Sequence, residues 1–467
     1  MFYVIVSLLV ILPDLYIRLV CLRGVDLGWW ALPFWAPLAF FIVLLVTYFA
    51  GGAQPFVFKG MVASLLCFTV PKLIFCIFSL LGRGAGLIAW SSGSSDVLRG
   101  GLYTGFDVAG IVVAGCFLLS AVYGLVYGPR RLVVREETLA FKDLPASFDG
   151  YRIVHLSDLH VGGYAASGMM EKLVSTVNGL DADMIAFTGD LVNSSPSELD
   201  TAVTAALSSM RARDGVFSVV GNHDYCEYHD YSTADGAARA FAEVVRRERE
   251  MGWKVLLDSS AVIVRPAVRT GQEQDIGRKE DSIYIIGVEH CGKPPFGSRG
   301  DLQKALDGVP PVFFLPDPGS ARTASSTMSP DSSSLGSDSS SLGPNTSSLG
   351  LDSLSMRAAC PFKILLSHDP SHWRMEVLPQ SDIQLTLSGH THAMQFRIGR
   401  FSPSRWMYRE WYGIYRKSSA GTSTDAAAGV SDPDARILNV SAGFGGSFPF
   451  RLGAWPEIVV ITLRCSD

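Results

Sequence analysis

The chain has 467 residues, 48% of them hydrophobic and 18% charged, and its mean hydropathy of +0.25 is high for a soluble protein. A small membrane bundle plus one large domain accounts for both length and composition. A formal net charge of −5 argues against a nucleic-acid binder, and eight cysteines without CxxC spacing imply neither a zinc site nor a disulfide framework.

The chain from Met1 to Arg130 reads as membrane. No residue is charged from Leu27 to Phe58, only Lys72 is charged from Gly60 to Gly82, and none is from Val108 to Pro129. Such stretches are long enough to span a bilayer. With residues 2–22 they predict four transmembrane helices, near 2–22, 34–52, 58–82 and 105–128. A signal peptide is the competing account of the first stretch, but it has neither a basic start nor a small-residue cleavage site. Arg130, Arg131 and Arg135 follow the last span, so for a multi-pass cell-membrane protein the positive-inside rule predicts the domain that follows on the cytoplasmic side, although Arg23, Arg83 and Arg99 on other loops nearly balance them. Lys72 and Asp107 hint at a polar path between helices. Residues 131–149 read as a linker to a domain over 150–467.

That domain alternates strands and helices. YRIVHLSDLH and DADMIAFTGD each read as an apolar strand ending in an acid, Asp158 and Asp190, and GVFSVVGNHD repeats the design with Asn222 and His223 at its exit. The intervals from Asp158 to Asp190 and from Asp190 to Asn222 are equal, and each is long enough for a strand, a helix and their connections, so parallel strands would deliver all three to one sheet edge. FKILLSHD and IQLTLSGHTH add two more strands, ending in His368 and in His390 and His392. His160 completes the first motif. Oxygen and imidazole ligands in this mixture suit a pair of Mn, Fe or Zn ions rather than calcium or a thiolate zinc. A lone DxH or GNH is usually coincidence, and a lone strand-end Asp is more often a helix cap; five such motifs in order are neither.

These five motifs resemble the calcineurin-like metallophosphoesterase superfamily over roughly residues 150–467. The resemblance implies an α/β fold of two mixed sheets packed as a sandwich flanked by helices. It implies that Asp158, His160, Asp190 and His392 hold one metal ion, that Asp190, Asn222, His368 and His390 hold the other, and that His223 is the catalytic histidine. Asp190 would bridge the ions. A shared carboxylate fixes two cations about 3.5–4 Å apart, where a water between them loses a proton near neutral pH and is aimed at phosphorus. Asn222 brings a neutral oxygen where a carboxylate would add charge. His223 would protonate the leaving oxygen or bond the phosphate, with Asp224 to orient it.

The remaining histidines have blander readings: His155 as a core residue, His229 as a solvated loop residue, His372 at a helix start. Glu289 and His290, ending SIYIIGVEH, are held as substrate contacts. Residues 319–357, Ser-rich with a repeated SSSLG pattern, read as a disordered insert, and 268–281 and 417–436 as further surface loops. Phe444, Phe448, Phe450, Trp406 and Trp411 could form an apolar rim beside the metals, though aromatics are more often core.

The resulting expectation is a membrane-anchored phosphoesterase that hydrolyses a phosphodiester, pyrophosphate or phosphomonoester. Its resemblance to the membrane-anchored bacterial branch of the superfamily implies a lipid-linked substrate such as UDP-diacylglucosamine. Two rivals are a tethered phosphatase or nucleotide phosphodiesterase with a soluble substrate, and a sensor or transporter regulated by a phosphoesterase-like domain. The complete ligand set argues against the last.

Overall fold

The structure is a computed structural model and describes residues 2–51, 55–163, 168–268, 280–310, 361–418, 423–424, 434–446 and 448–466. The Ser-rich stretch 319–357 and most of the two other expected loops lie outside these residues.

The described elements of the N-terminal region are all helices. Helix α1 (Phe2–Tyr16) runs on through a wide turn at Ile17–Cys21, α2 spans Ala31–Gly51, α3 (Pro55–Ser64) passes through a second wide turn into α4 (Val70–Ser91), and α5 spans Asp96–Val126. Among the described residues three segments, 28–50, 56–91 and 96–130, are long and apolar enough to cross a membrane. The segment 2–22 carries Pro13, Asp14 and Arg18 and is not among them. The last two segments are also longer than the sequence suggested, because the chain stays helical past the apolar run. Ser95 caps α5, accepting from the Leu98 N–H at 3.3 Å, with Asp96 in the first turn. Helices α4 and α5 pack where Gly82 faces Phe106 and Gly86 faces Tyr103, positions at which a Cβ would collide with the ring-bearing side chain. Lys72 pairs with Asp14 at 2.5 Å, joining α4 to α1, and Arg83 with Asp107 at 3.5 Å, joining α4 to α5.

Two mixed sheets follow, as expected. The first is six-stranded, and in chain order its members are β1 (Val133–Phe141), β2 (Arg152–Leu156), β3 (Met184–Phe187), β4 (Val216–Ser218), β5 (Lys254–Val255) and, returning from the end of the chain, β13 (Glu457–Cys465). They lie side by side as β1-β13-β2-β3-β4-β5. The second sheet has β6 (Ser259–Pro266), β7 (Glu280–Gly287), β8 (Phe362–Leu366), β9 (Leu385–Ser388), β10 (Gly413–Lys417), β11 (Ser423–Thr424) and β12 (Arg436–Val440), ordered β11-β10-β12-β9-β8-β7-β6. The expected linker is corrected here. Val133–Phe141 is an edge strand, paired in parallel with β13 from Val133↔Glu457 to Phe141↔Cys465. Its alternation of half-buried and exposed residues, with only the last few fully buried, hides it from a hydropathy reading.

Side chains one residue apart on β2 show how the sandwich is filled. Ile153 points into the core between the sheets with Met184, Phe217, Ile285, Ile364 and Leu387, whereas Val154 and Leu156 point outward under helices α6 (Met169–Asn178), α7 (Thr201–Ser208) and α8 (Gly236–Glu250). His155 faces the second sheet. It is fully buried, its Nδ1 is 2.8 Å from the Asn439 amide of β12, and its Nε2 is 2.9 Å from Thr188 Oγ1. This is the core role the sequence suggested. Strands β2, β3 and β4 run parallel, as do β8 and β9, so their C-terminal ends deliver five loops to one edge of the sandwich.

Candidate metal centre

The five loops converge, and they do so through unusual backbone. Asp158, His160, Asp190, His390 and His392 all have positive φ, between 44° and 67°. For residues with a Cβ this left-handed region is uncommon, and its concentration at strand exits is the kind of local strain found at functional sites. The turns also need glycine. A Cβ on Gly389 would meet Ser157 Oγ and Asp158 Oδ2, and one on Gly445 would meet the Leu159 carbonyl and His160.

Two ligand groups result. Asp158, His160, Asp190 and His392 offer atoms that all lie within 4.8 Å of one another, and Asp190, His368 and His390 form a second such group. Nε2 of His160 is 3.2 Å from Nε2 of His392, and Nε2 of His368 is 3.2 Å from Nδ1 of His390, spacings that bring lone pairs together for a shared cation. Asp190 Oδ2 is 3.5 Å from His160 Nε2 and 3.3 Å from His368 Nε2, so its carboxylate lies between the groups. Asn222 turns its amide nitrogen to Tyr228 at 3.0 Å and leaves Oδ1 buried without a partner. An orphaned buried carbonyl oxygen, next in the chain to His223, whose N–H bonds Asp190 Oδ1 at 2.9 Å, fits a divalent cation, as does the donor set as a whole.

The electrostatics agree. Burial lowers the imidazoles of His160 and His392 to about 3 and holds His390 well below its ordinary value, which favours the neutral form that can bind a cation. His368 goes the other way. Burial opposes its charge, but the facing Asp190 carboxylate lifts it to about 10. Against the cost of burial, His368 and His223 in turn hold Asp190 far below the usual carboxylate range.

The ligands are held from behind by groups that sequence reading missed. His368 Nδ1 is 2.7 Å from the Thr188 carbonyl, and His390 Nε2 is 2.8 Å from the Tyr408 hydroxyl and 3.5 Å from Asp369. Asp369 follows His368 directly and could have been noticed. Tyr408 sits in an aromatic run without a distinguishing signal.

His223 lies against this centre, its ring edge-on to His160 with centroids 4.8 Å apart. Its Nδ1 is 2.6 Å from the Asn193 carbonyl, which fixes that nitrogen as the donor and leaves Nε2 as the lone-pair nitrogen. The expectation that Asp224 orients His223 is corrected. Asp224 is fully buried and accepts backbone N–H groups from Asp190, Leu191 and Gly221, each at 2.8 Å. Its carboxylate shapes the loop that carries Asp190, and burial together with the Asp190 charge raises it to about 6.

Of the weaker assignments, His290 is buried, with its ring centroid 5.6 Å from that of His368, and neither ring nitrogen has a partner among the described residues. Glu289 is occupied by the Tyr225 hydroxyl at 2.8 Å. His229 is exposed, and His372 bonds Ser367 Oγ at 2.9 Å at the start of a helical turn. The aromatic rim is not assembled around the two candidate ligand groups. Phe444 is core, Phe450 lies over Gly124 of α5, Phe448 packs on Phe58 of α3 with centroids 5.6 Å apart, Trp411 gives its carbonyl to Thr391, and Trp406 points to solvent.

The sequence model of the calcineurin-like phosphoesterase family matches residues 151–286. A "transmembrane protein with metallophosphoesterase domain" of Danio rerio is 27% identical over 392 residues, covering 83% of this chain and 69% of that protein. YkuE, an uncharacterized metallophosphoesterase of Bacillus subtilis, is 30% identical over 370 residues, covering 77% of this chain and 95% of its own. The UDP-2,3-diacylglucosamine pyrophosphatase LpxG of Chlamydia muridarum is 36% identical over 341 residues, covering 68% and 85%.

Proposed function

The chain belongs to the calcineurin-like metallophosphoesterase family and is a metal-dependent phosphoester hydrolase, and from that premise we propose that it cleaves a phosphodiester or pyrophosphate bond in an amphiphilic, lipid-linked substrate at the membrane surface. The observation that carries the reading is the place of the ligand cluster. The loop that closes over His160 and Asp158 through Gly443 and Gly445 continues directly into Phe448 and Phe450, which pack on α3 and α5. A site built on the membrane anchor itself suits a substrate held in the bilayer. The similarity to LpxG, named for hydrolysis of a diacylated nucleotide sugar, supports the same class.

Asp158, His160, Asp190 and His392 would hold one ion, and Asp190, Asn222, His368 and His390 the other, with Mn, Fe or Zn as the metals this donor set accepts. When bound, two such ions neutralise phosphate charge and lower the pKa of water. The protein's own part is to fix the two ligand groups about one carboxylate and to present His223. With Nδ1–H committed to Asn193, Nε2 of His223 is the nitrogen free to take up a proton and, as the imidazolium, to pass it to the leaving oxygen or donate to the phosphate. Asn222 would hold its ion through a neutral oxygen and so add no negative charge there. We further place the domain on the cytoplasmic side, on the strength of Arg130, Arg131 and Arg135. Protease accessibility in sealed vesicles checks that orientation.

The full-length protein, loaded in turn with Mn, Fe or Zn, is assayed on diesters, monoesters and pyrophosphates with and without acyl chains. Faster turnover of the acylated diester or pyrophosphate supports the proposal. Equal turnover of acylated and unacylated forms would favour a soluble substrate.

A further inference from the structure

One exposed loop of the domain combines apolar and basic side chains. Between His392 and Tyr408 the chain leaves the first ligand group and returns to the second, since His392 faces Asp158 at 3.3 Å and the Tyr408 hydroxyl bonds His390. In between, Met394, Ile398, Phe401, Trp406 and Met407 are exposed, Trp406 at 75% and Ile398 at 63%. Arg400 and Arg405 are exposed among them, Arg409 is exposed just beyond Tyr408, and Glu410, the one acid of residues 393–410, is engaged by Arg374. In a chain of net charge −5, this is a local basic and apolar surface.

The loop is also tied to the membrane helices. Arg397 N–H donates to the Leu452 carbonyl at 2.8 Å and Leu452 N–H to the Gln395 carbonyl at 2.9 Å, while the Gln395 amide donates to the Phe448 carbonyl at 3.2 Å. Phe448 touches Phe58, near the start of α3, and Arg451 N–H donates to the Gly124 carbonyl, near the end of α5. Those two helix ends lie on the same side, because α3–α4 and α5 form one antiparallel hairpin. The apolar side chains are thus continuous with the ends of the spans.

We propose that residues 393–407 rest in the headgroup region of the bilayer, with Ile398, Phe401 and Trp406 among the acyl chains and Arg400 and Arg405 on anionic lipid phosphates. Aromatic and aliphatic side chains interleaved with arginine are the composition that holds an element in that interface. Because both ends of the loop are pinned to the ligand groups, its insertion sets the height of the metal centre above the membrane. Acyl chains could then stay in lipid while the phosphoester reaches the site.

To test this, the full-length protein carries a photoactivatable benzoylphenylalanine in place of Ile398 or Trp406, or, for comparison, of Val262 on the edge strand β6, which is also exposed. Each protein is irradiated in nanodiscs of phosphatidylcholine and phosphatidylglycerol. Lipid-mass adducts at 398 and 406 and none at 262 are expected. Their absence at 398 and 406, or protein-mass adducts there in native membranes without lipid adducts in nanodiscs, would overturn the proposal. A second measurement rests on the phosphoesterase reading: Trp406→Ser with Arg405→Ala should lower hydrolysis of hexadecyl nitrophenyl phosphate in bilayers about tenfold and leave bis-nitrophenyl phosphate unchanged. Unchanged rates on both would count against insertion. If neither substrate is hydrolysed, the phosphoesterase reading fails while the lipid adducts still decide insertion.

Discussion

The backbone N–H of Arg451 donates to the Gly124 carbonyl of α5 at 2.9 Å, while its side chain lies fully buried behind the first ligand group. The guanidinium donates to the carbonyls of Ala442, Gly445 and Ala454, so one residue joins helix α5 to the loop that covers His160. Arg451→Met should leave those carbonyls unpaired and destabilise the domain by about 3 kcal/mol. Metal titration should show the weaker affinity at the group containing His160 and His392. Unaltered affinity there would mean that the loop keeps its shape without the arginine.

Asp190→Ala should empty both ion positions and abolish turnover, because its carboxylate lies between the two groups. Asn222→Ala, which removes one neutral oxygen, should lower occupancy at one position only. Elemental analysis of the purified variants distinguishes the two outcomes.

His223→Ala should retain metal yet lose roughly 10²–10⁴ in rate on substrates with alkyl-like leaving groups. With a nitrophenolate the loss should be much smaller. Equal losses would show that His223 binds phosphate and does not act as an acid.

Asp224→Ala should behave differently from His223→Ala. With four backbone N–H groups deprived of their acceptor, including that of Asp190, the variant should lose metal and thermal stability together. Wild-type metal content with a shifted pH–rate profile would restore the orienting role the sequence suggested.

Glu248 of α8 is fully buried, and burial followed by the Asp224 charge raises its carboxyl to about 8. Its folded value is above its unfolded one, so its contribution is most favourable below the unfolded value and is lost as pH rises through about 8. Glu248→Gln should therefore melt at a higher temperature than the wild type at pH 8.5 and near it at pH 4.5. Parallel melting curves at both values would exclude this linkage.

Sequence alone determined the candidate ligands, and the reason is local. Asp158, Asp190, Asn222, His368, His390 and His392 each follow the end of an apolar strand, and residues at strand ends keep their place on a sheet edge whatever the loops between them do. The apolar runs ahead of Arg130 were legible for the same reason, since hydropathy needs no partner to be read. What only the tertiary structure decided depends on partners far away in the chain. Strand β1 was invisible until β13, from the opposite end of the domain, paired with it. Asp224 has the spacing of a partner for His223, yet its oxygens are claimed by the turn at Asp190, and the Asn193 carbonyl takes the role. Tyr408 behind His390 and Arg451 beneath Gly124 have no periodicity or motif to announce them. Their roles come from packing, which fixes the neighbours of a side chain only after the sheets have closed.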